Sequence, residues 1–346
     1  MEKIISTPIE GFFIHSKDDL IFDVKGLSHP DNRIISFVRY IPKRFFQQDN
    51  LNESKNYLKL YDLKERFLFL QNNFPKYIFK DPKGRGLLQG VLREDLQIIY
   101  NPIVRLKEMI KSPKNSLDPL ETQALQLATT LKEYSGVKIE NIGVSGSILV
   151  KLHSERSDID LIVYGKENGL MIYEAMMEIF ENNTQIQRYT NTQLEQLRSN
   201  RGQIEQIDLQ SFIELETKKQ LQGMINKTEF YIRLVLLPDE YYEPYNQTQI
   251  IPLGEIEITA TVQDDKYSLF TPCVYKITDV ELIASEKLYD ALPDRIFSLR
   301  GRYCDLAKNG EVIHVRGKLE KVEIKREKEY YQLTLGTGKK DFFKKW

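Results

Sequence analysis

The chain has 346 residues, of which 41% are hydrophobic and 11% aromatic, enough apolar material for the cores of two or three domains. Its 49 lysines and arginines nearly balance 50 aspartates and glutamates, so net charge predicts no nucleic-acid partner, and any such contact would need a local patch. The two cysteines, Cys273 and Cys304, lack CxxC spacing. This argues against a zinc site or a disulfide framework and favours a reducing cytoplasm.

Residues 1–115 predict an N-terminal α+β region. Short β-rich runs occupy residues 11–42, and a polar stretch over 52–73 predicts a helix. Acids, Pro8 and Gly11 interrupt the N-terminus before any signal-like segment forms, and no apolar run approaches the ~18 residues of a membrane helix. We therefore expect a soluble, cytoplasmic protein with no membrane partner.

The middle region, residues 116–240, opens on a helix-start signal. Asp118 can cap, Pro119 suits the first helical position, and Glu121 completes a capping box, which predicts a helix over 119–134. Further predicted helices are 148–152 (a short turn), 170–181, 192–198 and 204–224, and the predicted strands are 139–144, 158–164 and 229–237.

Residues 241–346 change character. Short strand-like runs follow one another at regular spacing, separated by Gly, Asp and Asn turns, which predicts a small all-β domain, either a sandwich or a barrel. The sequence as a whole therefore predicts an α+β protein with three regions.

Two carboxylates open the apolar strand predicted at 158–164. Side chains two residues apart share one face of a strand, so Asp158 and Asp160 project together. Unpaired buried charges are costly, so such a pair needs a cation or a position facing solvent. Carboxylate oxygens suit Mg²⁺, which is commonly held by one or two carboxylates plus substrate phosphates. The pair therefore predicts a magnesium site.

Gly146 and Ser147 form a turn before this strand and supply a candidate phosphate binder. Glycine permits close backbone approach, amides at a helix start favour anions, and the serine hydroxyl can donate to a phosphate oxygen.

The order of these features, a strand, then GVSGS, then about ten residues, then SDIDLIV, resembles the nucleotidyltransferase superfamily typified by DNA polymerase beta. The resemblance covers roughly residues 118–238. It implies a mixed sheet with helices, an NTP triphosphate held at Gly146 and Ser147, and two Mg²⁺ ions on Asp158 and Asp160 for in-line transfer of a nucleoside monophosphate. The whole chain, including DVKGLSHP and SLRGRY, also resembles an uncharacterised archaeal group of predicted nucleotidyltransferases, which names no substrate.

The superfamily's third carboxylate lies on a strand beside the one with the paired acids. The resemblance implies Glu229 for this catalytic role, with Glu257 as the runner-up. Arg156 could reach a phosphate or be a solvated loop arginine, and His153 is expected to be a loop residue and not a base. Without the third carboxylate the protein would be a catalytically degenerate nucleotide- or nucleic-acid-binding protein. A scaffold role for the terminal β-rich regions is a further alternative.

The C-terminal region offers a candidate surface for a single-stranded RNA or DNA acceptor. Its cations are Arg295, Arg300, Arg302, Arg316 and Lys318, and residues 338–346 then alternate cations with aromatics. Cations can neutralise phosphates and aromatic faces can stack on unpaired bases. The alternative is that the tail aromatics pack on their own domain.

Overall fold

The structure, a computed structural model, describes residues 7–45, 56–201, 206–241, 243–289, 291–325 and 328–346. Within these ranges it has seven α-helices and three sheets, and the last region is all-β, which confirms the predicted α+β class. None of the helices in these ranges is long and apolar enough to cross a membrane.

The N-terminal sheet is antiparallel, with strand order β5-β6-β3-β2-β1-β7 and β4 paired to β3. Its strands are β1 (Phe13–Ser16), β2 (Ile21–Val24), β3 (Arg33–Pro42), β4 (Tyr57–Lys59), β5 (Ile78–Asp81), β6 (Gly86–Leu92) and β7 (Leu96–Tyr100). Helix α1 (Leu63–Asn73) begins after Asp62, whose side chain caps the helix by accepting from two backbone amides. The helix predicted over 52–73 is thus wrong over 57–59, where the chain pairs with β3, and residues 52–55 lie outside the described ranges.

The middle sheet has the order β10-β11-β12-β9-β8, and β9 and β12 run parallel. Its elements are α2 (Pro102–Lys111), α3 (Pro119–Ser135), β8 (Ile142–Val144), α4 (Gly146–Leu149), β9 (Ile159–Tyr164), α5 (Lys166–Asn182), β10 (Ile186–Gln187), α6 (Asn191–Arg201), α7 (Leu209–Thr217), β11 (Gln222–Ile225) and β12 (Thr228–Val235). The capping box of α3 is present as predicted, and Gly136 ends the helix in the left-handed conformation.

One predicted helix of the middle region is too long. The helix predicted over 204–224 is confirmed only for α7, and its last residues belong to strand β11. Asn226 and Lys227 both have positive φ, 47° and 73°, and this tight turn joins β11 to β12 as a hairpin. Residues 202–205 lie outside the described ranges.

The two faces of strand β9 have different neighbours. Ile159, Leu161 and Val163 are buried in a core that also includes residues of α3 and α5. On the opposite face, the Tyr164 hydroxyl donates to the backbone carbonyl of Glu10 at 3.1 Å. The N-terminal and middle sheets share this core, so the face of β9 that bears the paired acids lies against the N-terminal sheet.

The C-terminal region is a closed barrel with its own core. Its strands are β13 (Thr248–Asp264), β15 (Cys273–Ser285), β16 (Arg295–Ser298), β17 (Val312–Ile324) and β18 (Lys328–Leu335), and β19 (Phe342–Lys345) pairs with β17 outside the closed ring. The ring runs β13-β15-β16-β18-β17 and returns to β13, with one parallel pair, β16 and β18. Strand β14 (Phe270–Thr271) leaves the barrel and joins β12, so the barrel and the middle sheet are connected.

Candidate active site

A cavity of about 200 Å³ lies between the N-terminal and middle sheets. Its lining combines acids, cations and the predicted phosphate-binding turn. The N-terminal sheet and its flanks contribute Gly11, Phe13, Asp23, Lys25, Arg39, Tyr40 and Lys59, and the middle region contributes Ser145, Gly146, Ser147, Asp158, Asp160, Leu161, Ile162 and Arg233. The structure thus brings together four of the residues predicted from sequence, Gly146, Ser147, Asp158 and Asp160.

Gly146 packs directly against one of the paired acids. Its φ is +60°, and a Cβ atom at this position would lie 2.2 Å from Asp160 Oδ2. The amide of Ser145 donates to the carbonyl of Asp160 at 2.8 Å, which fixes the turn beside β9. Only glycine fits here, and the turn and the carboxylate form one unit.

Ser147 carries a polar atom that no protein group satisfies. The residue is 4% exposed, lines the cavity, and its Oγ has no hydrogen-bond partner among the described residues. The Ser145 hydroxyl, two residues earlier, donates to the Gly11 carbonyl at 2.7 Å and is structural. A buried hydroxyl without a partner costs about 1–3 kcal/mol, so Ser147 is suited to donate to a ligand oxygen.

Asp160 is a cavity carboxylate whose surroundings disfavour its charged form. Burial and the neighbouring Asp158 raise its pKa to about 6, although Arg233 and Lys59 act in the opposite direction. Asp158 is exposed and lies directly before the first residue of β9. Two carboxylates on one face, one exposed and one in the cavity, form an oxygen-rich set that fits a hard divalent cation.

On the opposite side of the cavity, the lining residues Asp23, Lys25 and Arg233 form an ionic network with buried Glu10, in which carboxylates and cations pair with each other. Glu10 accepts from Lys25 Nζ at 3.1 Å, from the Gly26 amide at 2.9 Å and from the Arg233 guanidinium. Lys25 Nζ also lies 2.7 Å from Asp23 Oδ2. Burial disfavours the Arg233 cation, but Glu10 and the other surrounding anions hold the pKa of Arg233 above its usual value. Lys25 and Arg233 are thus held by protein carboxylates.

Glu229 lies on β12, the strand parallel to β9. The register places Phe230 opposite Ile159, so Glu229 lies beside Asp158. Burial and Asp158 raise the pKa of Glu229, while Arg201 lowers it. Glu229 does not line the cavity itself, and its catalytic role stays a prediction. The runner-up, Glu257, is on barrel strand β13, which does not neighbour β9. Its carboxylate lies 2.6 Å from His314 Nε2.

Arg156 and His153 both lie in the segment between α4 and β9. Arg156 is exposed and is not part of the cavity lining, and its phosphate contact stays a prediction. His153 pairs with Asp118, and these two residues and Glu121 place ligand atoms within 4.8 Å of one another. However, Asp118 caps α3 and Glu121 pairs with Arg105, so the cluster already has structural partners.

Sequence reasoning missed the N-terminal wall of the cavity. The missed polar residues are Glu10, Asp23, Lys25, Arg39 and Lys59. A signal was present in IFDVK and SFVRY, where charged side chains interrupt strands that are otherwise apolar. Nothing in these two runs indicates which sheet the charges would face.

Fold and site together define an α+β protein with a cavity of carboxylates and cations between two sheets, joined to a β-barrel. The chain belongs to the same family as the uncharacterised protein MJ1086 of Methanocaldococcus jannaschii, with 31% identity over 336 residues that span 95% of this chain and 96% of that protein. The match confirms the resemblance to an uncharacterised archaeal protein. No family model matches the chain. No solved structure matches it either.

Proposed function

We propose that the protein is a Mg²⁺-dependent nucleotidyltransferase, which moves a nucleoside monophosphate from an NTP to an acceptor hydroxyl. One observation carries the proposal: the unpartnered Ser147 hydroxyl lines the same cavity as Asp160, whose carboxylate packs against Gly146. A phosphate binder and a cation-binding carboxylate are therefore in contact, as transfer from a nucleoside triphosphate requires. The residues Gly146, Ser147, Asp158 and Asp160 resemble the motif of the polymerase beta-like superfamily.

The residues present fit an NTP and Mg²⁺. Ser147 donates to a phosphate oxygen, while Arg39 and Lys59 on the N-terminal wall offset the charge of the triphosphate. Asp158 and Asp160 hold the metal. Bound Mg²⁺, with two ions expected, supplies charge neutralisation at the phosphoryl oxygens.

The reaction forms one bond and breaks one. The acceptor oxygen bonds to the α-phosphorus, the bond from that phosphorus to the pyrophosphate oxygen breaks, and the acceptor proton passes to a carboxylate. Glu229 is our candidate base, because its pKa is raised by burial and by Asp158, as a proton acceptor near neutral pH requires.

A second candidate function is a nucleotide-binding protein without turnover. The observation that favours it is on β12, where Tyr231 is the register partner of Asp160 and Arg233 follows on the same face, while Glu229 lies outside the cavity lining. Such a protein would bind an NTP but would lack an efficient base.

Incubation with each NTP labelled at the α-phosphate, with Mg²⁺ and nucleic-acid, protein or small-molecule acceptors, tests the proposal. We expect label in one acceptor class and matching pyrophosphate release. Asp158→Asn and Asp160→Asn should reduce both to background, whereas Glu155→Gln, an exposed acid in the same loop, should match wild type. NTP binding without transfer would favour the second function, and wild-type transfer by both Asp variants would contradict the metal site.

A further inference from the structure

An exposed aromatic ring lies beside the candidate active site. Tyr61, in the segment between β4 and α1, is 71% exposed. The Arg39 guanidinium and the Lys59 ammonium each lie 5.1 Å from its ring centroid, and both residues line the cavity. An exposed ring flanked by two cations is suited to stack on an unpaired base while the cations contact phosphates.

The backbone beneath this ring is held in place. Arg39 Nη1 donates to the Leu60 carbonyl at 3.1 Å, and Arg66 Nη2 donates to the carbonyls of Leu60 and Tyr61 at 2.9 and 3.2 Å. Two guanidiniums thus fix the Leu60–Tyr61 backbone, although the ring itself is exposed. A preorganised ring loses little conformational entropy when a ligand stacks on it.

The cations on this side of the cavity form no ion pair with a carboxylate of the described residues. None of Arg39, Lys59, Arg66 and Arg300 has a carboxylate partner within ion-pair distance in the part of the chain that the structure describes. Burial and the nearby Arg39 and Arg300 lower the pKa of Arg66 to about 10, with Asp23 opposing. Cations that lie close to one another without ion-pair partners favour a polyanionic ligand.

These charges extend beyond the nucleotide cavity. Arg39 and Lys59 line it, but Arg66, on α1, and Arg300, which follows β16 of the barrel, lie outside its lining. The residue after Arg300, Gly301, packs against the Tyr231 hydroxyl, where a Cβ would lie 2.4 Å from that oxygen, and Tyr231 is the register partner of Asp160. Burial and Arg302 lower the pKa of Arg300, while Glu10 and Asp23 act in the opposite direction. A cationic path that leaves a nucleotide site suits a chain of phosphates.

We propose that the acceptor is a single-stranded nucleic acid that binds at the Tyr61 platform, which we define as Tyr61, Arg39, Lys59, Arg66 and Arg300. An unpaired base stacks on Tyr61, and backbone phosphates contact Arg39, Lys59 and Arg300. Arg66, which is 8% exposed, instead holds the backbone of Tyr61. This inference rests on the proposed function, since it names the acceptor class of that site. The barrel that carries Arg300 has the strand order of an OB-fold, a fold that binds oligonucleotides in other proteins, but this likeness names no ligand by itself.

The aromatics of the C-terminal tail pack on their own domain, which is one of the two arrangements considered from sequence. Phe343 is buried in the barrel core, and Phe342 packs edge-on against His314. Trp346 also packs edge-on against the His314 ring, with 5.0 Å between the ring centroids, although it is 71% exposed. Trp346 has the same exposed fraction as Tyr61 and so provides a matched control.

Fluorescence anisotropy with labelled single-stranded RNA and DNA of about 15 nucleotides, without NTP or Mg²⁺, tests the inference. We expect Tyr61→Ala to weaken binding about 5- to 100-fold, the range for losing one base stack, and Tyr61→Phe to retain it. Trp346→Ala should match wild type. Circular dichroism and thermal melting verify that each variant is folded.

A salt series tests the phosphate contacts. Arg300→Gln should reduce the slope of log K against log salt by about 0.7, the value for one lost phosphate contact on a single strand. Lys339→Gln, which removes an exposed lysine of the tail, should leave the slope unchanged.

Equal oligonucleotide affinity of Tyr61→Ala and wild type, or equal binding of single strands and duplex, would overturn the inference. A loss of NTP affinity in Tyr61→Ala with unchanged oligonucleotide binding would place the NTP base on Tyr61, which overturns the acceptor site and leaves the proposed function standing. Because this assay needs no turnover, oligonucleotide binding in a protein that transfers nothing would contradict only the proposed function.

Discussion

Two carboxylates inside the fold, buried Glu216 on α7 and half-buried Asp160 on β9, have opposite surroundings. Glu216 accepts from Lys219 at 2.7 Å and from Gln222 at 2.7 Å, and it pairs with Arg201. Burial alone would raise the pKa of Glu216, but Lys219 and Arg201 hold it at about 2. Burial and the like charge of Asp158 raise the pKa of Asp160 to about 6, although Arg233 and Lys59 lower it.

The difference separates a structural acid from a site that needs a ligand. Lys219 Nζ also donates to the Arg302 carbonyl at 2.7 Å, so the Glu216 cluster joins the middle region to the barrel. In contrast, the Ser147 hydroxyl has no hydrogen-bond partner among the described residues, and burial and Asp158 disfavour the charged form of Asp160. Polar groups that the chain satisfies maintain the fold, and those that it leaves unsatisfied indicate where a ligand binds.

The largest expected effect comes from removing the charge of Glu216, the carboxylate that protein groups stabilise. Glu216→Gln should reduce the free energy of unfolding by about 3–5 kcal/mol, because it removes the carboxylate charge that offsets the buried Lys219 ammonium and the Arg201 guanidinium. Urea unfolding measures the change. Asp160→Asn is the matched variant and should be at least as stable as wild type, since it removes a like-charge pair. A larger loss in Asp160→Asn than in Glu216→Gln would contradict the comparison.

The next prediction concerns Mg²⁺, which should stabilise only the protein with both acids. At a free concentration of about 100 times the dissociation constant, binding adds about 2.7 kcal/mol to the free energy of unfolding. Thermal melting with and without MgCl₂ should show a rise for wild type and none for Asp158→Asn or Asp160→Asn. An equal rise in all three proteins would indicate that the ion binds elsewhere.

The two carboxylates should also respond to pH in opposite directions. The folded-state pKa of Asp160 is raised from 3.8 to about 6, so its stabilising contribution is complete below 3.8 and is lost as pH rises through about 6. The pKa of Glu216 is lowered from 4.5 to about 2, so its contribution is present above 4.5 and is lost as pH falls towards 2.

Unfolding of wild type and of the two single variants across this pH range measures both contributions. The stability advantage of Asp160→Asn over wild type should grow between about pH 4 and pH 6 and then level off. An advantage that does not change with pH would show that Asp160 titrates as in the unfolded chain.

The smallest expected effect is at the phosphate-binding turn. Ser147→Ala should weaken NTP binding by about 1–2 kcal/mol, because it removes one hydrogen bond to a charged group. Calorimetry measures the affinity. Ser145→Ala, which breaks the bond to Gly11, should instead lower stability. Unchanged NTP affinity in Ser147→Ala would make the turn purely structural.

The part of the site that was predictable from sequence is local in the chain. Gly146, Ser147, Asp158 and Asp160 lie within one strand, turn and strand unit, so spacing and alternation were enough to bring them together. The capping box of α3 was predictable for the same reason. The β11–β12 hairpin was not, because its turn depends on the positive φ of Asn226 and Lys227, which are not the usual glycines.

The opposite wall could not be predicted because its contacts are distant in sequence. Arg233 and Glu10 form an ion pair 223 residues apart, and Asp23 and Lys59 reach the cavity only through the order of strands in the N-terminal sheet. No local periodicity encodes which sheet packs on which. The same holds for Arg300, which follows a barrel strand. Burial and Arg302 lower its pKa, while Glu10 and Asp23 of the N-terminal region act in the opposite direction.

The most direct test of the central claim is a crystal structure with Mg²⁺ and a non-hydrolysable NTP analogue. We expect metal density on the carboxylates of Asp158 and Asp160. We also expect a phosphate oxygen about 2.7–3.0 Å from Ser147 Oγ, the distance of a hydroxyl hydrogen bond. An analogue bound elsewhere, with Ser147 still without a partner and no metal on the two acids, would contradict it.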